Sequence, residues 1–213
     1  MDDESDNEIK MILLGDCGVG KTNIISRYLR NEFREDQMST SGANYAMKKK
    51  VIDGNLFRIN IWDTAGQEQY RSVTKMFLQD AQILLLCYSI VDHKSFEHLD
   101  YWYKLATGII GTDIALGVAG NKSDLYETEQ VKDSEGQEFA NKYNAEFKLV
   151  SAKTNKEGID FLFDKLIENY VNMKNGVNNP KSKYIKLENE KNNENDDNNQ
   201  NNKNNKKNKR NCC

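Results

Sequence analysis

The chain lacks the features that would mark a membrane-spanning or secreted protein. Its longest hydrophobic run, Ile83 to Tyr88, is far shorter than the roughly 20 residues that a helix needs to cross a bilayer. The first eight residues, Met1 to Glu8, are acidic and contain no apolar stretch, so we expect no signal peptide. We therefore expect the body of the protein to lie in the reducing cytosol.

Cysteine is scarce, and its spacing excludes two common structural uses. The 213-residue chain has four cysteines: Cys17, Cys87, Cys212 and Cys213. They match neither a zinc site nor a disulfide framework. We expect Cys17 and Cys87 to be small buried or loop residues. The terminal pair follows a basic run and suits no structural role.

Aromatic and apolar residues are nearly absent from residues 174–211, which are dominated by Asn, Lys, Glu and Asp. Such a segment cannot bury enough apolar surface to offset the entropy of ordering it. We predict a flexible N-terminus over residues 1–7, a globular domain over 8–173 and a disordered tail over 174–213. The alternative is that the asparagine content is a compositional bias without a role.

Charge is divided unevenly between these segments. Residues 174–211 hold ten basic and five acidic side chains, a net charge of +5, which leaves −8 for the rest of the chain. The acidic body argues against nucleic acid as a partner. The basic end of the tail suits an anionic membrane surface.

Hydrophobic patterning predicts an α/β fold. Buried or alternating runs predict strands over Ile9–Leu14, Tyr45–Ile52, Leu56–Trp62, Ile83–Ser89, Ala115–Gly120 and Phe147–Val150. Helical spacing predicts helices over Lys21–Arg30, Ser95–Thr107, Ser134–Tyr143 and Gly158–Met173, with loops over 31–44 and 64–74. One hairpin followed by β-α alternation predicts a single domain with a mostly parallel six-stranded sheet, one antiparallel edge strand and helices on both faces.

The segment from Gly15 to Thr22 reads Gly-Asp-Cys-Gly-Val-Gly-Lys-Thr and matches the phosphate-binding pattern G-x-x-x-x-G-K-[ST]. It follows a predicted strand and opens a predicted helix, which is the context that the pattern requires. Glycines let backbone N–H groups curl around phosphate oxygens, and the helix N-terminus adds partial positive charge. Lys21 is expected to reach the β- and γ-phosphates, and the Thr22 hydroxyl to ligate Mg²⁺.

The segment from Asp63 to Gln67 reads Asp-Thr-Ala-Gly-Gln and directly follows another predicted strand. Asp63 is placed to hold Mg²⁺ through water, because Mg²⁺ gives up its water ligands reluctantly. The Gly66 N–H can meet a γ-phosphate, and Gln67 is the candidate for orienting the attacking water. Alone, D-x-x-G is typical of an ordinary turn, but its place after a phosphate-binding loop makes the signal strong.

Two further segments favour guanine as the bound base. Asp124, in Asn121-Lys122-Ser123-Asp124, can accept hydrogen bonds from guanine N1–H and the 2-amino group. Adenine offers neither and would leave the carboxylate unpaired. Ser151-Ala152-Lys153 follows the last strand, and its small residues allow the backbone to approach a base.

Taken in this order, the motifs resemble those of small GTPases of the Ras superfamily, and within it of the Rab family, over about residues 8–173. The Rab-like segments are Trp62 with the following Asp63–Glu68, then Tyr70-Arg71-Ser72-Val73-Thr74, and the terminal Cys212-Cys213. The resemblance implies GTP or GDP with Mg²⁺ as the bound ligands. It implies nucleotide contacts at Asp16, Gly18, Val19, Gly20, Lys21, Thr22, Phe33, Thr40, Gly66, Asn121, Lys122, Asp124, Ser151, Ala152 and Lys153.

The resemblance also implies individual roles. Thr40 would be the switch threonine that joins Thr22 and Asp63 at Mg²⁺, Phe33 would meet guanine edge-on, and the Ala152 N–H would contact the guanine oxygen. Segments 34–45 and 64–77 would be ordered by GTP and released after hydrolysis.

Effector binding and lipidation are implied in the same way. Tyr45, Trp62 and Phe77 would form an aromatic effector surface, for which core packing is the alternative reading. Residues 41, 43, 44 and 45 (Ser, Ala, Asn and Tyr) depart from or flank the usual Rab pattern, which leaves effector choice open. Cys212 and Cys213 would carry geranylgeranyl groups, and two chains give stable anchoring.

The expected activity is slow hydrolysis of GTP to GDP and phosphate, with Gln67 and Lys21 as catalytic residues. We find no arginine that would complete the site in cis, so an activating partner is expected to accelerate the reaction about 10³–10⁵-fold. The resemblance implies a monomer on the cytosolic face of an endomembrane compartment, cycling with the cytosol and serving vesicle trafficking. Its partners would be an exchange factor, a GTPase-activating protein, effectors, a prenylation escort and a GDP-dissociation inhibitor.

Two other functions remain open at this point. One is a nucleotide-gated adaptor with vestigial hydrolysis, against which the retained Gln67 argues. The other is a P-loop kinase for a small metabolite, against which Asp124 argues.

Overall fold

The β-α alternation of the sequence folds into one central sheet. The computed structural model describes residues 7–66 and 71–176, so the terminal residues 1–6 and 177–213 and the segment 67–70 lie outside the description. Of the described residues, those up to Tyr170 form one compact unit. The strands of the described residues are β1 (Glu8–Leu14), β2 (Ala43–Ile52), β3 (Asn55–Thr64), β4 (Ile83–Ser89), β5 (Ala115–Asn121) and β6 (Glu146–Leu149).

The α-helices of the same residues are α1 (Lys21–Arg30), α2 (Arg71–Leu78), α3 (His93–Glu97), α4 (Leu99–Ile110), α5 (Asp133–Lys142) and α6 (Lys156–Lys174), with a 3₁₀ helix over Ser123–Thr128.

The sheet has the strand order β2-β3-β1-β4-β5-β6. The edge strand β2 pairs antiparallel with β3, and every other neighbouring pair is parallel. The fold class predicted from the sequence is confirmed. Because β1, β3, β4 and β5 are parallel, their carboxyl ends meet at one edge of the sheet, where ligands bind in open α/β folds.

The core lies on both faces of the central strands. On one face, Ile12 of β1 and Leu84 of β4 pack with Trp102 of α4. On the other face, Leu85 of β4 and Leu166 of α6 both lie against Gly117. Since side chains of a strand alternate between faces, continuous burial of β4 requires both layers of helices.

Two helical segments differ from the sequence prediction. The prediction of a loop extending to residue 74 is wrong, because α2 begins at Arg71. The last residues of α2, Phe77 and Leu78, pack against the body. This packing stabilises a helix that local patterning does not reveal. The single helix expected over Ser95–Thr107 is two helices. Asp92 caps the first by accepting a bond from the Ser95 N–H, and the break falls at His98.

Candidate nucleotide and magnesium site

The phosphate-binding loop, residues 15–22, joins β1 to α1 at the carboxyl edge of the sheet. Gly20 caps α1 in the left-handed region, with φ 97°. A Cβ there would also lie 2.4 Å from Asn121 Nδ2, so glycine is needed both for the backbone angle and for the close approach. The first N–H groups of α1 follow at Lys21 and have no partner within the helix, which makes this end a site for an anion.

Lys21 lies inside this loop. The side chain is 5% exposed, and its Nζ donates to the carbonyl oxygens of Gly15 at 2.7 Å and Asp16 at 2.9 Å. Burial lowers the pKa of the Lys21 ammonium, because desolvation disfavours the charged form. Phosphate oxygens placed in the loop would compensate for that desolvation, so the position of this cation favours an anionic ligand.

Three oxygen-bearing side chains from separate segments meet beside the loop. Thr22 Oγ1 donates to Asp63 Oδ2 at 2.7 Å, and Thr40 Oγ1 donates to the same oxygen at 3.1 Å. The two hydroxyl oxygens are 3.0 Å apart. Thr22 comes from α1, Thr40 from the loop before β2, and Asp63 from the end of β3, so the fold assembles the trio that the sequence predicted for Mg²⁺.

The second carboxylate oxygen supports a metal at this place. Asp63 Oδ1 is buried and has no hydrogen-bond partner among the residues that the structure describes. Burial raises the pKa of the Asp63 carboxyl, opposed by the Thr22 hydrogen bond and the Lys21 charge. An unsatisfied buried acceptor costs about 1–3 kcal/mol, which a water-bearing cation would recover.

The chemistry of these donors also fits Mg²⁺. Hydroxyl, carboxylate and water oxygens are the ligands of a hard cation that is completed by substrate phosphates. Within residues 7–66 and 71–176, no group of three His, Cys, Asp or Glu side chains could hold a metal. A magnesium ion here would therefore depend on the two hydroxyls, one carboxylate and oxygens from the nucleotide and water.

The other end of the site is tied together by Asn121. Its Nδ2 donates to the Val19 carbonyl oxygen at 2.7 Å, and its Oδ1 accepts from the Ala152 N–H at 3.1 Å. Asn121 thus joins the phosphate-binding loop to the segment after β6. Nearby, the Ser151 hydroxyl donates to Asp124 Oδ1, which orients a half-buried carboxylate toward the cavity.

These elements enclose a cavity of about 330 Å³, within the range of small-molecule sites. The predicted residues that line it are Gly18, Gly20, Lys21, Thr22, Phe33, Thr40, Gly66, Asn121, Lys122, Asp124, Ala152 and Lys153. At its mouth, Lys153 Nζ lies 6.0 Å from the centre of the Phe33 ring. Most of the residues predicted for phosphate and base, and two of the three predicted for the metal, therefore surround one space.

Comparison with known proteins agrees with this geometry. The model of the Ras family matches residues 10–172. The Ras-related protein Rab-11B of Dictyostelium discoideum is 40% identical over 149 residues, which are 70% of this chain and 68% of that protein. The chain belongs to the Rab family of small GTPases. The resemblance drawn from the motifs is confirmed. Small GTPases of this family generally bind a guanine nucleotide and Mg²⁺.

Three of the residues predicted to contact nucleotide in this Rab-family chain do not line the cavity. Val19 is fully buried and offers its carbonyl oxygen to Asn121. Ser151 is also buried, behind Asp124. The Asp16 side chain turns away from the cavity toward His98 and Trp102. Direct contact of these three side chains with nucleotide stays a prediction, as does the contact of the Ala152 N–H with guanine, since that group donates to Asn121.

Sequence reasoning missed two residues that shape the site. Arg27 of α1 donates from Nε to the Ala152 carbonyl oxygen at 2.8 Å and from Nη2 to the Lys153 carbonyl oxygen at 3.0 Å. Asn23 of α1 donates to the Arg34 carbonyl oxygen at 2.8 Å and accepts from its N–H at 3.1 Å, which fixes the backbone beside Phe33. Arg27 acts on backbone 125 and 126 residues away, and Asn23 on backbone 11 residues away, so no local pattern points to either residue.

The three aromatic residues predicted as an effector surface are in contact. The Tyr45 and Trp62 ring centres are 5.3 Å apart, and those of Trp62 and Phe77 are 5.1 Å apart. Tyr45 is 55% exposed, and the other two are half-buried. The trio therefore forms one cluster, which is exposed at Tyr45 and packs against the hydrophobic core through Trp62 and Phe77.

Several predicted residues lie outside the described residues: Gln67 of the catalytic motif, residues 1–6 of the flexible N-terminus predicted over 1–7, and residues 177–213 of the tail predicted over 174–213, with Cys212 and Cys213. In the part of the chain that the structure does describe, no helix combines the length and hydrophobicity needed to cross a membrane.

Proposed function

We propose that this Rab-family chain is a nucleotide-controlled switch that binds GDP or GTP with Mg²⁺, hydrolyses GTP slowly, and recruits effectors to a membrane when GTP is bound. The observation that supports it most directly is the meeting of Thr22 and Thr40 at Asp63. Thr40 comes from the mobile segment predicted over 34–45. A ligand held at this place therefore controls the position of that segment, as a switch requires.

The binding roles are assigned residue by residue. The loop amides and Lys21 hold the phosphates, and Thr22, Thr40 and Asp63 hold the metal. Asp124 selects guanine, with Asn121, Lys122, Ser151, Ala152 and Lys153 shaping the base site and Phe33 covering it. Arg27 and Asn23 support this arrangement through backbone contacts.

In the hydrolytic step, the oxygen of a water molecule attacks the γ-phosphorus in line. The new P–O bond forms as the bond to the β-phosphate oxygen breaks, which gives GDP and inorganic phosphate. We assign Gln67 to orienting the water and Lys21 to stabilising the charge that develops on the phosphate oxygens. Bound Mg²⁺ would supply further neutralisation of that charge.

Effector binding is assigned to the surface of Tyr45, Trp62 and Phe77. Trp62 directly precedes Asp63 in β3, and Tyr45 pairs with Trp62 from β2. The domain would occupy about residues 8–173. The tail 174–213 would carry two geranylgeranyl groups on Cys212 and Cys213, in reach of anionic lipid through its basic residues. The expected location is the cytosolic face of an endomembrane compartment, in a vesicle-trafficking pathway. Its regulators would be an exchange factor, an activating protein, an escort and a dissociation inhibitor.

Single-turnover hydrolysis of bound GTP tests the enzymatic part. Gln67→Leu is compared with Gln69→Leu, a glutamine two residues away that serves as the matched control. We expect the first change to abolish acceleration by an activating partner and the second to leave it. If Gln67→Leu leaves the accelerated rate unchanged, Gln67 loses its role.

Affinity capture on the protein loaded with GDP or with a non-hydrolysable GTP analogue tests the switch. We expect the protein loaded with the GTP analogue to capture partners that the GDP-loaded protein does not. The Tyr45→Ala variant loaded with the same analogue should fail to retain them. Equal capture in both states would contradict nucleotide control. GTP-dependent capture without measurable hydrolysis would favour the adaptor function.

A further inference from the structure

The Asp16 side chain links the phosphate-binding loop to α4 and to the break between α3 and α4. Its Oδ1 accepts a hydrogen bond from Trp102 Nε1 at 2.8 Å, and its Oδ2 lies 2.6 Å from His98 Nδ1. These partners are 86 and 82 residues away in sequence. We call this pair of contacts the Asp16 bridge.

The backbone of the same residue is part of the site. The Asp16 carbonyl oxygen accepts from Lys21 Nζ at 2.9 Å. The peptide between Asp16 and Cys17 lies so close to Gly66 that a Cβ on Gly66 would be 2.3 Å from it. Residue 16 therefore contacts both the lysine expected to meet the phosphates and the glycine expected to meet the γ-phosphate.

The two donors differ in how firmly they are held. Trp102 is 1% exposed and packs in the core cluster around α4, so its indole cannot follow the loop if the loop moves. His98 has a half-exposed side chain and stands at the break between α3 and α4. A carboxylate held by two N–H donors makes charge-assisted hydrogen bonds, which are stronger than those between neutral groups.

The His98 contact also defines a proton position. A carboxylate only accepts hydrogen bonds, so Nδ1 must carry a hydrogen for the 2.6 Å contact to be attractive. An asparagine at this position could offer an amide N–H in its place, whereas leucine could not. This difference allows the donor to be tested separately from the volume of the side chain.

We propose that His98 and Trp102 are positioning residues for nucleotide binding, which act through the Asp16 carboxylate to hold the phosphate-binding loop in its curled form. A loop held in this form loses less conformational freedom when the phosphates bind, so the complex lasts longer. The proposal rests on the proposed function, because it concerns release of the guanine nucleotide from the same site.

The test measures the release of a fluorescent GDP from the full chain in excess unlabelled GDP and Mg²⁺. The variants are His98→Leu, His98→Asn and Trp102→Phe. The control is His93→Leu, which removes the other histidine of the chain, an exposed side chain near Glu97 and Glu135. We expect about tenfold faster release for His98→Leu and Trp102→Phe, as for loss of one hydrogen bond to a charged group. His98→Asn should release GDP near the wild-type rate, and His93→Leu at that rate.

Nuclear magnetic resonance reports directly on the contact between Trp102 and Asp16. The chain has two tryptophans, Trp62 and Trp102, so in a ¹⁵N-labelled Trp62→Phe protein the remaining indole N–H signal belongs to Trp102. We expect this signal to move when Asp16 is changed to Ala and when GDP replaces the GTP analogue. A signal that ignores both changes would overturn the link between Trp102 and the loop.

The outcomes separate the two proposals. Wild-type release for both His98→Leu and Trp102→Phe overturns the positioning role, as do equal rates for His98→Leu and His98→Asn. If Trp102→Phe does not fold, the pair of His98 variants decides. If the wild-type chain and His93→Leu fail to retain GDP in Mg²⁺, the proposed function itself is contradicted.

Discussion

The Thr22 hydroxyl donates a 2.7 Å hydrogen bond to Asp63 Oδ2 across a separation of 41 residues. The contact joins the first turn of α1 to the end of β3 and leaves the other carboxylate oxygen buried and unsatisfied among the described residues. A metal ion at this pair would connect the phosphate-binding loop to the segments predicted to act as switches.

Replacing Thr22 by valine should remove the magnesium dependence of GDP binding. Valine keeps the branched shape but lacks the hydroxyl, and loss of a group that positions a metal costs at least about tenfold in metal affinity. The measurement is GDP release with and without a chelator, with Thr22→Ser as the control that keeps the hydroxyl. If a chelator still accelerates GDP release from the Thr22→Val variant, the assignment of Thr22 as a magnesium ligand is contradicted.

Gly66→Ala should slow GTP hydrolysis while Gly108→Ala does not. A Cβ on Gly66 would lie 2.3 Å from the backbone of Asp16 and Cys17, whereas one on Gly108 in α4 meets nothing within 4 Å. A displacement of about 1 Å at a catalytic site can cost about 10²-fold in rate. Single-turnover kinetics measures the effect, and equal rates for the two alanine variants would argue against close packing at Gly66.

Arg27→Lys should weaken guanine nucleotide binding more than Arg30→Lys does. Only a guanidinium can span the carbonyl oxygens of Ala152 and Lys153, whereas Arg30 forms an exposed pair with Glu32. We expect a loss of about 1–3 kcal/mol for Arg27, measured as GDP affinity together with the free energy of unfolding. If Arg27→Lys weakens GDP binding no more than Arg30→Lys does, the segment of Ala152 and Lys153 holds its position without Arg27.

Inosine nucleotides should bind more weakly than guanosine nucleotides. Hypoxanthine lacks the 2-amino group that we assign to Asp124, and a hydrogen bond to a charged group is worth about 1.5–3 kcal/mol. Competition against fluorescent GDP should therefore show roughly a 10- to 100-fold preference for GDP over IDP. The Asp124→Ala variant should lose this preference for GDP. If the variant retains the preference, a different group binds the 2-amino group of guanine.

The two cysteines of the domain should react differently with iodoacetamide. Burial raises the pKa of the Cys87 thiol to about 12, so its thiolate, the reactive form, is scarce at pH 8 and increases only as the pH approaches 12. Cys17 is exposed and lines the cavity. In a chain without Cys212 and Cys213, peptide mapping should find the label on Cys17 and find that GDP protects it. Labelling of Cys87 in the folded protein would contradict its burial.

The sequence contains strong local signals for the parts of the site that lie at strand ends. The phosphate-binding loop, Asp63 and Asn121 each follow a hydrophobic run, and the parallel strands β1, β3 and β5 bring them to one edge. The fold class follows from the same runs. In these cases the residue type, its place after a strand and the order of motifs along the chain carry enough information.

Other parts depend on contacts between distant segments and have no local signature. The Asp16 side chain is directed toward His98 and Trp102, and α2 is held against the body at its last residues, Phe77 and Leu78. The residue type of Tyr45 and its place in a strand pattern would also suit a core residue. Its exposure follows from the position of β2 at the edge of the sheet.

The most direct test of the account is a titration of the purified, nucleotide-stripped chain with GDP and ADP in Mg²⁺ and again in a chelator. Buried polar groups left unpaired by the wrong base can discriminate about 10⁴-fold or more. We predict tight GDP binding that weakens when Mg²⁺ is removed, and ADP binding weaker by orders of magnitude. Equal binding of GDP and ADP, or no binding of GDP, would contradict the account.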